Sequence, residues 1–130
     1  MARTPTDGSW LLRDGTEVQT EGEIKTATIA NGAAVSGAID IRGYLWVTIY
    51  MPAAWTAAQL GLKGAPTLAG TYGPVYEGTS LYTEEAAASR TIVLDPQVTA
   101  GLAFIKLWSQ NGTGTDANQG AERVFAVGLR

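Results

Sequence analysis

Tyr44-Leu45-Trp46-Val47-Thr48-Ile49-Tyr50-Met51 is the stretch that decides how this chain is read. Leu45, Val47, Ile49 and Met51 alternate with Tyr44, Trp46, Thr48 and Tyr50, which is the two-residue period of a β-strand. One face is aliphatic and the other aromatic and amphipathic, so both sides are expected to be covered. Pro52 has no N–H to offer a ladder and ends the run.

Working upstream, Ile24-Lys25-Thr26-Ala27-Thr28-Ile29 is rich in β-branched residues and is followed by Asn31-Gly32, a hairpin-turn signal. Val35, Gly37, Ile39 and Ile41 then share one face, and a hairpin is expected here. Residues 1 to 22 are polar and punctuated by Thr4-Pro5, Asp7-Gly8 and Asp14-Gly15. They read as an N-terminal arm or extended segment whose apolar anchor is Trp10-Leu11-Leu12. A first strand over residues 9 to 13 is the alternative.

Downstream, Ala53 to Ala58 has room for one helical turn at most, and Leu60 and Leu62 mark a strand ending at Gly64-Ala65-Pro66. Residues 67 to 89 carry Tyr72, Tyr76 and Tyr82 among Gly70, Gly73, Pro74 and Gly78, the composition of short strands and exposed loops. Arg90-Thr91-Ile92-Val93-Leu94 is a strand closed by Asp95-Pro96, because proline holds the preceding residue extended. A short turn at residues 97 to 101, a strand over 102 to 108, a polar loop over 109 to 120 and a last strand over 122 to 129 complete the chain. The expectation is an all-β domain over residues 23 to 130: an antiparallel β-sandwich, jelly-roll-like, of about eight strands. Its predicted core is Val35, Ile39, Ile41, Leu45, Val47, Ile49, Leu60, Leu62, Ile92, Leu94, Ile105, Leu107, Phe125, Val127 and Leu129.

Composition limits what such a domain does. At 130 residues, 45% hydrophobic and 16% charged, the chain suits one globular core. A formal charge of -3 and a pI near 4.8 lack the basic footprint that phosphate contacts need, so no direct nucleic-acid partner is expected. No apolar run is long enough to span a bilayer, and residues 1 to 14 lack a secretory signal's apolar stretch, so synthesis in the cytoplasm without a membrane partner is expected. There is no Cys, hence no disulfide framework and no thiolate metal site.

The absence of His removes the commonest general base, nucleophile activator and catalytic metal ligand. Glu84, Glu85, Asp95, Asp116 and Glu122 remain as acids of the type a glycosidase uses, but their spacing is unremarkable and adjacent Glu84 and Glu85 point apart in an extended chain. Gly112-Thr113-Gly114-Thr115 lacks the Gly-Lys-Ser/Thr of a phosphate loop. Asn111, Asp116 and Asn118 offer oxygen ligands without the spaced acids of a calcium loop, and Asn111-Gly112-Thr113 matches a glycosylation acceptor only by accident in a chain without a signal. No enzyme, cofactor or metal is expected. Arg90 and Arg123 are read as ties to carboxylates or loop carbonyls near strand starts. Trp46 and Trp108, inside strands, are read as core or subunit-interface residues, whereas Trp55, Tyr72 and Tyr76 are expected to be exposed.

The run Gly43 to Ala58 resembles a group of small tailed-phage virion proteins encoded among head genes. The resemblance continues through Pro74-Val75-Tyr76, Ala88 to Pro96, Gly101 to Leu107 and Gln119 to Arg130, so it covers residues 35 to 130. It implies an accessory structural virion protein, resembling head decoration or cement proteins, made in the host cytoplasm and placed on the head surface. The major capsid protein would be its partner, across junctions between capsid subunits, and a homotrimer its state. Trp10, Leu11, Leu12, Trp55, Tyr72 and Tyr76 are the candidate contacts. The alternatives are a carbohydrate-binding β-sandwich module, with Trp55 and the tyrosines in one cleft, and a neck- or tail-associated virion protein.

Overall fold

The computed structural model describes residues 22 to 130, preceded by the backbone of two short antiparallel strands, β1 (Trp10–Leu11) and β2 (Glu17–Val18). The remainder of the expected arm, with Leu12 and the side chains of Trp10 and Leu11, lies outside the described residues.

Nine strands build two antiparallel sheets, one of four strands and one of five. The first has the order β11 (Thr91–Val93), β5 (Val47–Tyr50), β13 (Arg123–Leu129), β3 (Glu23–Ile29), and the second the order β10 (Thr83–Glu85), β6 (Gln59–Ala65), β12 (Phe104–Gln110), β4 (Ile39–Asp40). A short β7 (Gly73–Pro74) also pairs with β6, and β8 (Tyr76–Glu77) pairs with β9 (Ser80–Leu81). Among the described residues there are thirteen strands rather than about eight, because the two-residue ladders β6–β7, β8–β9 and β1–β2 add to the longer pairings.

The pairing is nested: β3 with β13, β4 with β12, β5 with β11 and β6 with β10. The chain is laid out as one long hairpin doubled back between β6 and β10. The ladders β13–β5 and β12–β6 then join neighbouring turns into complete sheets. This arrangement corrects the expected hairpin after Ile29. Gly32, at φ 78°, does make the turn. It sends the chain from the first sheet to the second, where Ser36 N–H donates to Leu107 O (2.9 Å) and Ser109 N–H to Ala34 O (2.7 Å). A local β3–β4 pairing would satisfy fewer backbone groups than the seven-residue β3–β13 ladder.

One apolar cluster lies between the sheets. It includes Ala27 and Ile29 from β3, Val47 and Ile49 from β5, Leu60 and Leu62 from β6, Ile105 and Leu107 from β12, and Phe125, Val127 and Leu129 from β13. Burying each of the larger aliphatic or aromatic side chains contributes roughly 1.5–3 kcal/mol against chain entropy. Val35 and Leu45, also expected in this core, are not buried. Leu45 precedes the ladder at a position where Leu45 N–H and Trp46 N–H both donate to Arg130 O, two residues facing one, which breaks the alternation. At Val35 the neighbours Ala34 and Ser36 are buried instead. Val75 and Tyr82 join the core from the stretch read as exposed loop.

Residues 53 to 58 form a connection without a helical turn, and a helical turn forms at α1 (Pro96–Thr99), within the stretch read as a short turn. Asp95, held extended at φ -65° and ψ 116°, caps it by accepting from Gln97 N–H, and Pro96 fills the first position, where no N–H is needed.

Candidate functional site

The two outer faces of the sandwich differ in chemistry. On the first sheet, alternation turns Ile24, Thr26 and Thr28 of β3, Val124, Ala126 and Gly128 of β13, Trp46, Thr48 and Tyr50 along β5, and Thr91 and Val93 of β11 away from the core. None of these carries a charge. Ile24, Trp46, Tyr50, Val93 and Val124 are between 43% and 66% exposed, and they are five of the eight exposed large apolar residues among the described residues. Lone exposed apolar residues are ordinary, but their concentration on one face makes it a candidate contact surface. Glu23, Trp46, Thr48, Tyr50, Gly128 and Arg130 also line a groove of about 230 Å³ at one end of this face, and charge enters the face there. Gly128 matters to its shape, since a Cβ there would sit 3.3 Å from the Tyr50 ring.

The outer face of the second sheet is covered. Trp108 points outward from β12 yet is 2% exposed, because residues 111 to 117 fold over it. Its indole N–H donates to Asp116 Oδ1 (2.7 Å). Opposite Trp108 the ladder places Gly61, where a Cβ would lie 2.2 Å from Gln110 Nε2 and 3.2 Å from Trp108 Cε3. Gln110 accepts from Gly114 N–H (3.0 Å), while its Nε2 has no hydrogen-bond partner. Three cations lie over rings on this face: Arg42 over Phe104 (4.6 Å), Lys63 over Trp108 (4.7 Å) and Lys106 over Tyr72 (4.4 Å). Beside them the Arg42 guanidinium, in a 2.9 Å ion pair, holds the Asp40 carboxyl down at about 2.

A buried polar hub ties the sheet ends together. Gln119 accepts from Thr56 N–H (2.9 Å) and Arg123 Nε–H (3.1 Å), and donates to Thr56 O (3.0 Å) and Ser109 Oγ (2.8 Å). Reversing the amide would set donor against donor, so the network itself orients it. Every contact is structural.

The candidate contacts do not converge. Trp55, expected exposed, is half-buried with its ring edge-on to Phe125 at 5.7 Å and its N–H donating to Ala58 O. Tyr72 is half-buried beneath Lys106, its hydroxyl donating to Leu68 O. Tyr76 is exposed and lines a groove of about 490 Å³ with Gly64, Pro66, Gly73 and Leu102. Trp46, left between core and interface by the sequence, is exposed on the first sheet. Arg90 reaches Glu85 O as expected of a loop tie, whereas Arg123 serves the Gln119 hub.

The acids are distributed too. Glu84 accepts from the Tyr82 hydroxyl (2.8 Å), whose phenol burial pushes up. Asp95 caps a helix, Asp116 holds an indole, and Asn111 Oδ1 accepts from Thr113 N–H, Thr113 Oγ–H and Thr115 N–H. No metal-holding group of three such residues occurs among the described residues. Sequence reasoning missed the apolar sheet face. The alternation of Thr48 and Tyr50, and of Thr26 and Thr28, carried its signal, but only the order of strands in the sheet shows that these residues share a surface.

Fold and surface together define an antiparallel β-sandwich protein with one largely apolar outer face. No family model matches the chain, and no curated protein or solved structure matches it either.

Proposed function

We propose that this chain is an accessory structural protein of a tailed-bacteriophage particle, a decoration or cement protein that binds the major capsid protein across junctions between capsid subunits. It acts by contact rather than catalysis. The observation that carries the reading is the apolar face bearing Ile24, Trp46, Tyr50, Val93 and Val124. The middle of that face loses little on being taken out of water, because its charged neighbours Glu23 and Arg130 lie in the groove at one end and its Thr hydroxyls can find partners. The nested strand pairing supports assigning the sandwich to the jelly-roll type, an architecture in which two sheets close on one core and leave loops and outer faces for contacts. In this reading the protein is a homotrimer, which suits a threefold junction: three modest contacts engage together and gain avidity from effective concentration.

In this reading the arm over residues 1 to 22, with Trp10, Leu11 and Leu12, adds a second attachment to the capsid. Cryo-electron microscopy of particles tests the location, with density expected over capsid-subunit junctions. Density confined to the neck or tail tip overturns it in favour of a neck or tail protein. Deleting residues 2 to 20 should weaken binding to undecorated heads while the domain stays folded, and undiminished binding refutes the arm's role alone.

A further inference from the structure

The hydrogen bonding of β13 decides which backbone groups of β3 are left unpaired. Arg130 N–H donates to Trp46 O (3.0 Å) and Trp46 N–H to Arg130 O (2.7 Å), so these two residues form a hydrogen-bonded pair between β13 and β5. A middle strand bonds its two neighbours with alternate residues. Gly128 and Ala126 therefore follow Arg130 toward β5, whereas Leu129, Val127 and Phe125 turn toward β3. Their partners Glu23, Lys25 and Ala27 are thereby engaged, and Ile24, Thr26 and Thr28 direct N–H and C=O away from the sheet. Gly37 N–H reaches Thr28 O from that side (3.3 Å), as this alternation requires. The N–H and C=O groups of Ile24 and Thr26 find no partner among the described residues. The other strands at the ends of the two sheets are short, with two residues in β4 and three each in β10 and β11. β3 has seven, and a long open edge is a template for another strand.

We propose that this edge accepts β3 of a second copy of the chain, antiparallel about a twofold axis at Ile24. Outward groups can be set against outward groups in three such registers along this stretch. Centred on Thr26, the pairing asks Thr28 O to serve both Gly37 N–H and the incoming strand. Centred on Lys25, it sets two ammoniums opposite each other. Centred on Ile24, it places Glu23 opposite the partner's Lys25, Gly22 opposite the partner's Thr26, and Ile24 opposite its own copy, each charge pair occurring twice by symmetry. All the free groups of Ile24 and Thr26 are then paired. Glu23 and Lys25 project to the same side of the strand and keep capacity for the new contact. The Glu23 carboxylate that accepts from the Tyr44 hydroxyl has further lone pairs, and the Lys25 ammonium spends one donor on Asp40 O (2.9 Å). On the other side Ile24, 66% exposed, meets its copy, and the two apolar faces join into one. The contact does not depend on the virion role. It is separate from a threefold junction and joins copies of neighbouring trimers.

The test uses the full chain, which has no Cys of its own. Ile24→Cys should form a disulfide-linked dimer under mild oxidation, since facing residues of a hydrogen-bonded pair lie about 5.5 Å apart between Cα atoms, within disulfide reach. Thr26→Cys should stay largely unlinked, because the residue facing it is Gly22. Sedimentation equilibrium of the unsubstituted protein should show reversible association. Glu23→Lys or Lys25→Glu should weaken that association about tenfold, and the two together should restore it to within about threefold, because the exchange regenerates both charge pairs. Circular dichroism checks that each variant is folded. No association at millimolar concentration, equal crosslinking at the two positions, or a double variant no better than the single ones overturns the twofold contact. None of these measurements needs a phage particle, so their failure is separable from failure of the decoration role.

Discussion

Gly61 shows how a single missing side chain organises its surroundings. It sits mid-strand in β6, where glycine forfeits strand propensity, and it is there because Trp108 and Gln110 of the neighbouring strand occupy the space above it. Gly61→Ala should destabilise the protein by about 1–3 kcal/mol through overpacking, since Gln110 is fully buried and tied to Gly114 N–H and so has little freedom to give way. Gly37→Ala, with nothing within 4 Å of its added carbon, is the control and should be near neutral. Urea unfolding of the two variants measures the difference. Equal stability would mean that the Trp108 cover yields easily. Trp108 was legible in the sequence as a strand tryptophan to be covered, but not what covers it, because the loop that does so follows it by several residues and carries no apolar signal.

At the level of elements, the strands were legible wherever one face is aliphatic: Ile24 to Ile29, Val47 to Tyr50, Ile92, Ile105 to Leu107 and Phe125 to Leu129 all fall in ladders with those faces inward. The connections were not legible. Asn31-Gly32 reads as a hairpin because turn chemistry is local, while the partner of β3 is set by a strand nearly a hundred residues later. Polar cross-links are equally hidden, and Gln119 is the clearest of them. Gln119→Leu removes four hydrogen bonds and leaves Thr56 N–H, Thr56 O and Ser109 Oγ to find other partners. The expected loss is about 2–4 kcal/mol, the cost of buried groups left partly unsatisfied. Amide exchange at Thr56 should also accelerate. A variant as stable as the parent, with Thr56 exchange unchanged, would mean that water substitutes for the amide.

For the whole molecule, the asymmetry between its outer faces matters most. A charge placed on the apolar face should leave folding intact and harm only association. Val93→Lys, at a 60% exposed position of β11, is expected to change unfolding free energy by no more than about 0.5 kcal/mol. It should lower self-association or head binding by about tenfold or more, because the ammonium would have to be desolvated in the contact. Sedimentation velocity reads the first and binding to undecorated heads the second; if both are unchanged, the face is not the contact surface. By itself the sequence determined the all-β class, most of the inward-facing residues and the want of His and Cys chemistry, since alternation and composition are properties of a strand before it finds a partner. Only the tertiary structure decided that Trp55 packs on Phe125, that Lys63 faces Lys106, and that Ile24, Trp46, Tyr50, Val93 and Val124 lie on one surface. Those residues come from four strands scattered over the chain, and which strands lie side by side is set by long-range pairing and core closure, which no local pattern encodes.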